Sequence, residues 1–229
     1  MRGVRPTLPA PPADTSGLRA FPRRTMSGGA EVARVVRAGA EPWWFSSNVG
    51  GRFDLEAPDG TCYVAEDDLT ALLEVIGPDL EGGVVATQTL DARRLRTLRL
   101  PRATTLADAT SRRALGFGVT AEVGAIVPYD PTRCWARALH AAGFAGVRWW
   151  PRHDPARARR AIALFGRAGA RRSWPRGRER PIDPSLRSRL AAECGIRIAA
   201  RPRLDRLTVA PDPPIRSSVR LHPSRARRG

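Results

Sequence analysis

The chain has 229 residues, 39 of them basic and 22 acidic, for a formal net charge of +17, and 42% of its residues are hydrophobic. That length and apolar content suit one domain with a sizeable core, or two small ones, and argue against wholesale disorder. No run approaches the roughly 18 apolar residues of a membrane span, which predicts a soluble protein. Every basic side chain is Arg, with no Lys, so the charge reflects base composition as much as selection for nucleic acid.

Residues 1–25 carry Pro, Arg and small residues without an apolar run, so neither a signal peptide nor a twin-arginine export segment is expected. A flexible basic leader over 1–28 is predicted, and Met26 is a second candidate start. Glu31–Arg37 and Thr61–Ala65 read as strands from their β-branched and aromatic content. Asp67 and Asp68 cap a helix whose Leu69, Leu72, Leu73 and Ile76 recur at the spacing of a buried stripe. Leu95–Leu100 is a further strand. A second helix opens near Thr132, with Trp135, Ala138, Leu139 and Ala142 inward and Gly143 as its stop. Val147–Trp150 and Ala161–Phe165 read as strands joined by the polar loop Arg152–Arg160. A third helix covers Ser185–Gly195, short strands follow near Ile196 and Leu207, and a basic disordered tail occupies 211–229. Strands and helices mix without βαβ alternation, which favours α+β.

Charge is uneven along the chain. Between Met26 and Val85 there are 3 Arg against 11 acids, whereas from Ala86 onward Arg dominates. An acidic first third folded against a basic remainder is expected, with positive charge left over for an anionic ligand. Cys62, Cys134 and Cys194 form no C-x-x-C pair and do not cluster with His140, His153 or His222. Neither a zinc site nor a disulfide framework is indicated, and a reducing cytoplasm is expected.

Arg34, Arg52 and Glu74 stand out as carriers of chemistry. Arg34 shares a strand face with Val32 and Val36: it is either an edge-strand Arg reaching solvent along its stem or a partly buried fork for a carboxylate or phosphate. Gly50-Gly51-Arg52 allows close backbone approach beside a guanidinium, which suits a diphosphate as well as an ordinary turn. Tyr63 is a strand aromatic. Glu74 lies off the apolar stripe of its helix and has no ion-pair partner at i±3 or i±4, the pattern of a solvated surface residue unless the fold brings something to it.

The ordered set PWWFSSNVGGRFDL, GTCYVAEDDLTALLEVIG and GFAGVRWWPRHD followed by AIALF resembles the RES domain, named for its Arg, Glu and Ser signature. The resemblance covers about Val32 to Gly166, extends plausibly to Pro211, and implies a RES-like domain over 29–210 with an ADP-ribosyltransferase-like α+β fold of mixed sheets and flanking helices. It places Arg34 at the family's first-strand Arg, Arg52 in its G-R-F motif, and Tyr63 and Glu74 in its Y-x-A and A-x-x-E elements. It implies an NAD⁺-consuming enzyme, a phosphorylase or glycohydrolase, acting as the toxin of a pair with an Xre-type antitoxin. Glu74 and Arg34 would be catalytic; Arg34, Arg52 and Tyr63 would bind NAD⁺; inorganic phosphate would be a possible co-substrate; no metal is called for. The chain departs from the family pattern G-x-D-G-x-x-Y-x-S, with Ala145 for the Asp, Trp149 for the Tyr and Pro151 for the Ser. Proline offers neither a hydroxyl nor an N–H, and Ser46 or Ser47 is a candidate to supply the hydroxyl instead, though nothing in the sequence places either beside position 151. Two alternatives follow: a RES-like protein that binds NAD or its antitoxin without turnover, and a basic nucleic-acid-binding protein. The second lacks any recognition motif, so nucleic acid is expected to bind only non-specifically.

Overall fold

The computed structural model describes residues 8–80 and 82–200. In chain order the strands are β1 (Arg23–Met26), β2 (Glu31–Arg37), β3 (Trp44–Phe45), β4 (Asp59–Ala65), β5 (Val84–Ala86), β6 (Arg93–Arg99), β7 (Thr104–Asp108), β8 (Gly146–Trp149), β9 (Ala161–Arg167), β10 (Gly169–Ala170), β11 (Arg178–Pro181) and β12 (Arg197–Ala199). The α-helices are α1 (Asp68–Ile76), α2 (Thr87–Asp91), α3 (Asp130–Ala141) and α4 (Pro184–Cys194). Eight strands form one mixed sheet in the order β1-β7-β8-β9-β4-β2-β6-β11, in which only β7 and β8 run parallel. β3 with β10 and β5 with β12 make two small ladders beside it.

The centre of the sheet is its weakest seam. β2 pairs with β6 along its whole length and β4 pairs with β9 along its whole length, yet β2 and β4 meet only at Ala33↔Ala65. The sheet therefore splays between them, and α1 lies over the opening, packed on β2 and β4. Asp67 caps α1 by accepting from the amides of Leu69 and Thr70, as the sequence predicts, and the stripe Leu69, Leu72, Leu73 and Ile76 is buried against Ala33, Val35, Leu95 and the α4 residues Leu186 and Leu190. A second core, under α3, gathers Phe53, Trp135, Leu139, Phe144 and Trp149. A third, on the opposite face of the sheet, joins Val32, Trp43, Phe45, Cys62, Leu98 and Leu164.

The acidic segment does fold against the basic one. Glu66 binds Arg148 at 2.6 Å, Asp68 binds Arg180 at 2.6 Å, and Glu41, Glu56 and Asp67 meet Arg176, Arg137 and Arg159. Arg148 is buried and also reaches Asp108 and Thr110, tying the start of α1 to β7 and β8.

Residues 8–26, expected to belong to a flexible leader, are instead packed. Leu8, Leu18 and Phe21 are buried in the core under α3, the Trp135 indole donates to the Pro9 carbonyl at 2.8 Å, and β1 pairs with β7. Three apolar side chains suffice here because α3 and β8, more than a hundred residues later, supply the walls that receive them. The strand expected near Leu207 and the tail over 211–229 lie outside the described residues. No helix among the described residues is long and apolar enough to cross a membrane.

Candidate active site

The splayed seam opens into a cleft of about 360 Å³, within the range of small-molecule sites, about 300–1,000 Å³. Its lining includes Arg34, Arg52, Tyr63 and Glu74, so the fold brings all four sequence-predicted residues to one place. The chain adds Tyr129, Trp149, Arg152 and His153 to the same wall.

Glu74 sits on the flank of α1 that faces the cleft. The helical periodicity that turns it away from the leucine stripe turns it toward β2, β4 and the loop after β8, so it is not the solvated surface residue that periodicity alone suggests. Burial raises its carboxyl from the ordinary 4.5 to about 7, against the downward pull of the Arg52 and Arg152 cations. A carboxylate this desolvated beside two guanidiniums interacts strongly with any positive charge that develops within the cleft.

Arg52 is 7% exposed, and among the described residues no carboxylate is ion-paired with its guanidinium. One N–H donates to the Ile126 carbonyl at 2.7 Å, and the plane lies 4.6 Å from the Tyr129 ring. Thr132 donates its hydroxyl to the Arg52 carbonyl at 2.5 Å, fixing the backbone from α3. Burial lowers the Arg52 pKa, and Tyr129 and Glu74 oppose that shift.

Tyr63 holds the glycine-arginine loop in place. Its hydroxyl donates to Asp54 Oδ1 at 2.8 Å and accepts from the Phe53 amide at 2.8 Å, while the other oxygen of Asp54 accepts from the Gly51 amide at 2.7 Å. Burial first, and the Asp54 charge second, push the phenol well above its usual range, so it stays protonated as a donor. A Cβ at residue 51 would stand 2.5 Å from the Tyr63 oxygen and 2.6 Å from Asp54 Oδ1, which is why Gly51 is required there.

Arg34 lines the cleft from β2 but is no empty fork. One nitrogen donates to the Pro42 carbonyl at 2.5 Å and to Cys62 Sγ at 3.0 Å, and the other lies 3.5 Å from the Trp44 carbonyl. All three acceptors are uncharged groups, and among the described residues no carboxylate is paired with this guanidinium. Arg34 is thus partly buried rather than an edge-strand side chain reaching solvent, and its fork is engaged by neutral acceptors of its own chain rather than by a carboxylate.

The departures from the family pattern are also placed. Trp149 is 1% exposed and packs against Phe53 and Tyr63, with ring centroids 4.8 and 6.1 Å away. Pro151 is buried after the end of β8; its carbonyl accepts from the Asp154 amide at 3.2 Å in the turn that carries Arg152 and His153. Neither Pro151, Ser46 nor Ser47 lines the cleft. Sequence reading passed over Arg152 and His153 as members of a polar loop. The available signal was their position, immediately after a strand that ends on the cleft. Among the described residues no group of three or more His, Cys, Asp and Glu side chains comes together as a metal site.

Comparison with known proteins agrees with this arrangement. A search of curated proteins returns no match. Among solved structures, a chain of the M. tuberculosis MbcT–MbcA toxin–antitoxin complex is similar, with a TM-score of 0.57 and 14% identity, over 78% of this chain and 95% of that chain. At that identity the likeness is one of fold. The RES domain family matches residues 31–184, a span that contains Arg34, Arg52, Tyr63, Glu74 and the loop after β8. The fold is α+β, like that of this solved chain, and with the family match spanning residues 31–184 the chain belongs to the RES domain family.

Proposed function

We propose that this protein degrades NAD⁺, as a phosphorylase or glycohydrolase, and that it is the toxin of a toxin–antitoxin pair. The observation that carries the reading is Glu74, a desolvated carboxylate in a cleft whose cationic lining residues are Arg34, Arg52 and Arg152. When the bond between the ribose C1′ and nicotinamide breaks, the electron pair leaves with nicotinamide and positive charge develops at the sugar. Glu74 stabilises that charge, directly or through the ribose hydroxyls. Arg52 and Arg34 supply the positive charge that holds the diphosphate, and Tyr63 acts one step back, by keeping Arg52 and the glycine amides in position. The complex of a fold relative with its antitoxin supports a protein partner for this chain, and the family resemblance favours an Xre-type one. Loss of the signature Ser at Pro151 reduces the rate in this reading, since one missing donor to a transition state costs on the order of 10²–10³.

Pro151 is also the observation that favours a second reading, a RES protein that binds NAD⁺ or its antitoxin without turnover. Nicotinamide release from NAD⁺, with and without inorganic phosphate, separates the two. Release by the native chain and none by Glu74→Gln is the result expected of the enzyme. Equal release by both would remove Glu74 from the chemistry, and NAD⁺ binding without release by either would establish the binding protein.

A further inference from the structure

His153 has a seat made for it. A Cβ placed on Gly77, at the C-terminal end of α1, would overlap the imidazole of His153, so the ring occupies the space that any other residue at 77 would fill. Gly77 is helical, with φ −51° and ψ −42°, and precedes Pro78, where a helical residue with a Cβ is already disfavoured; the overlap with the His153 ring adds a tertiary reason for glycine at the same position. The ring lines the cleft together with Glu74 and Arg52. It forms no hydrogen bond or ion pair with the described residues, so its nitrogens are free for a ligand. Arg152 from its own loop and Arg52 from the loop before β4 act on it, and the other charged and titratable groups of the same cleft are Glu74 from α1, Tyr129 from the start of α3, Tyr63 from β4 and Arg34 from β2. Burial, then Arg152 and Arg52, hold its pKa below the ordinary 6.5, which leaves it neutral near pH 7.

We propose that His153 is the general base of a hydrolytic reaction, taking a proton from the water that attacks C1′ as nicotinamide departs. The inference rests on the NAD⁺-cleaving reading above. The C1′–nitrogen bond breaks with its electron pair on nicotinamide, the water oxygen bonds to C1′, and one water proton passes to the imidazole and then to solvent. ADP-ribose, nicotinamide and one proton are the products. Glu74 cannot readily serve both steps, because its negative charge is needed opposite the sugar cation while water is being deprotonated. Phosphate dianion brings its own oxyanion and attacks without surrendering a proton, so phosphorolysis does not need the base.

The test compares native, His153→Gln and Gly77→Ala proteins in NAD⁺ cleavage without phosphate and with phosphate in excess. Gly77→Ala touches no chemical group but expels the ring from its seat; because the position precedes Pro78, where a Cβ is disfavoured in helical backbone, urea unfolding confirms that the variant is folded before its rates are compared. Both variants are expected to lose hydrolysis by about 10²–10³-fold, within the usual range for a general base, and to keep phosphorolysis within about threefold. Combining them should cost no more than either alone. In the native chain log kcat/KM for hydrolysis should fall with a limiting slope of 2 at acid pH, as Glu74 and His153 both protonate, and with a slope of 1 in His153→Gln. Full hydrolysis by His153→Gln overturns the proposal. So does equal loss of hydrolysis and phosphorolysis, which would mark His153 as a structural residue. A native chain that cleaves NAD⁺ only when phosphate is supplied overturns the base and leaves the NAD⁺-cleaving function standing, whereas a native chain that releases no nicotinamide under either condition overturns both.

Discussion

Glu74→Gln should make the protein more stable and less active at once, and the size of the gain follows from the site. The carboxyl is raised from 4.5 to about 7 by burial, with the opposing attraction of Arg52 and Arg152 already included in that net value. The folded state therefore holds the Glu74 proton more tightly than the unfolded chain does. For an acid shifted in this direction, stability is greatest below pH 4.5 and falls as the pH rises toward 7, because ionisation is easier in the unfolded chain. A tenfold change in acidity corresponds to about 1.4 kcal/mol, so the charged side chain costs the fold about 2–3 kcal/mol above pH 7, after allowance for its partial exposure. Gln mimics the neutral acid. Urea unfolding of native and Glu74→Gln proteins should accordingly give the same stability near pH 4.5 and a variant more stable by about 2–3 kcal/mol at pH 8. The same variant should release no nicotinamide from NAD⁺. A difference in stability that does not change between the two pH values would refute the desolvated carboxylate, and with it the physical basis of the site.

Three further outcomes are expected. Tyr63→Phe leaves a buried amide at Phe53 and an oxygen of the buried Asp54 without their partner, which should cost about 2–4 kcal/mol in urea unfolding and weaken NAD⁺ binding in calorimetry, although the ring is retained; unchanged affinity would separate the Asp54 network from the loop it is said to hold. Pro151→Ser returns a hydroxyl to the turn that carries Arg152 and His153, and nicotinamide release should increase; an unaltered rate would show that the site works without that donor. Duplex DNA should bind only weakly, with affinity collapsing between 50 and 200 mM salt, a loss on the order of 10³-fold or more if six or more phosphates are contacted, and a sequence-selective complex that survives physiological salt would restore the nucleic-acid reading.

The elements that were legible in the sequence are those whose causes lie within a few residues. Asp67 accepts from amides two and three positions on, and the leucine stripe of α1 repeats every turn, so cap and stripe are written locally. Gly195 ends α4 in the left-handed conformation, with φ 66°, for an equally local reason. The ordered set Arg34, Arg52, Tyr63 and Glu74 was legible as a pattern, though no residue in it revealed its own role. β1 was missed because it is a four-residue polar edge strand, and β7 because its five residues are too short to show a period; pairing of β7 with β1 on one side and β8 on the other is what makes them strands.

Periodicity showed where Glu74 points, but not what it points at. The sequence alone established that it lies off the apolar face of its helix, and on that ground solvent was the expected neighbour. Only the tertiary structure brings the β2–β4 seam, Arg52 and the loop after β8 to that side, because a single residue pair joins the two halves of the sheet and leaves room between them. The same holds for Leu8, Leu18 and Phe21, whose burial depends on α3, and for Gly77 and His153, which are 76 positions apart in the chain and matched only in space. Sequence determines backbone propensity and facing, since these depend on neighbouring residues; desolvation and charge proximity, from which a site takes its chemistry, are properties of what the remote parts of the chain place alongside.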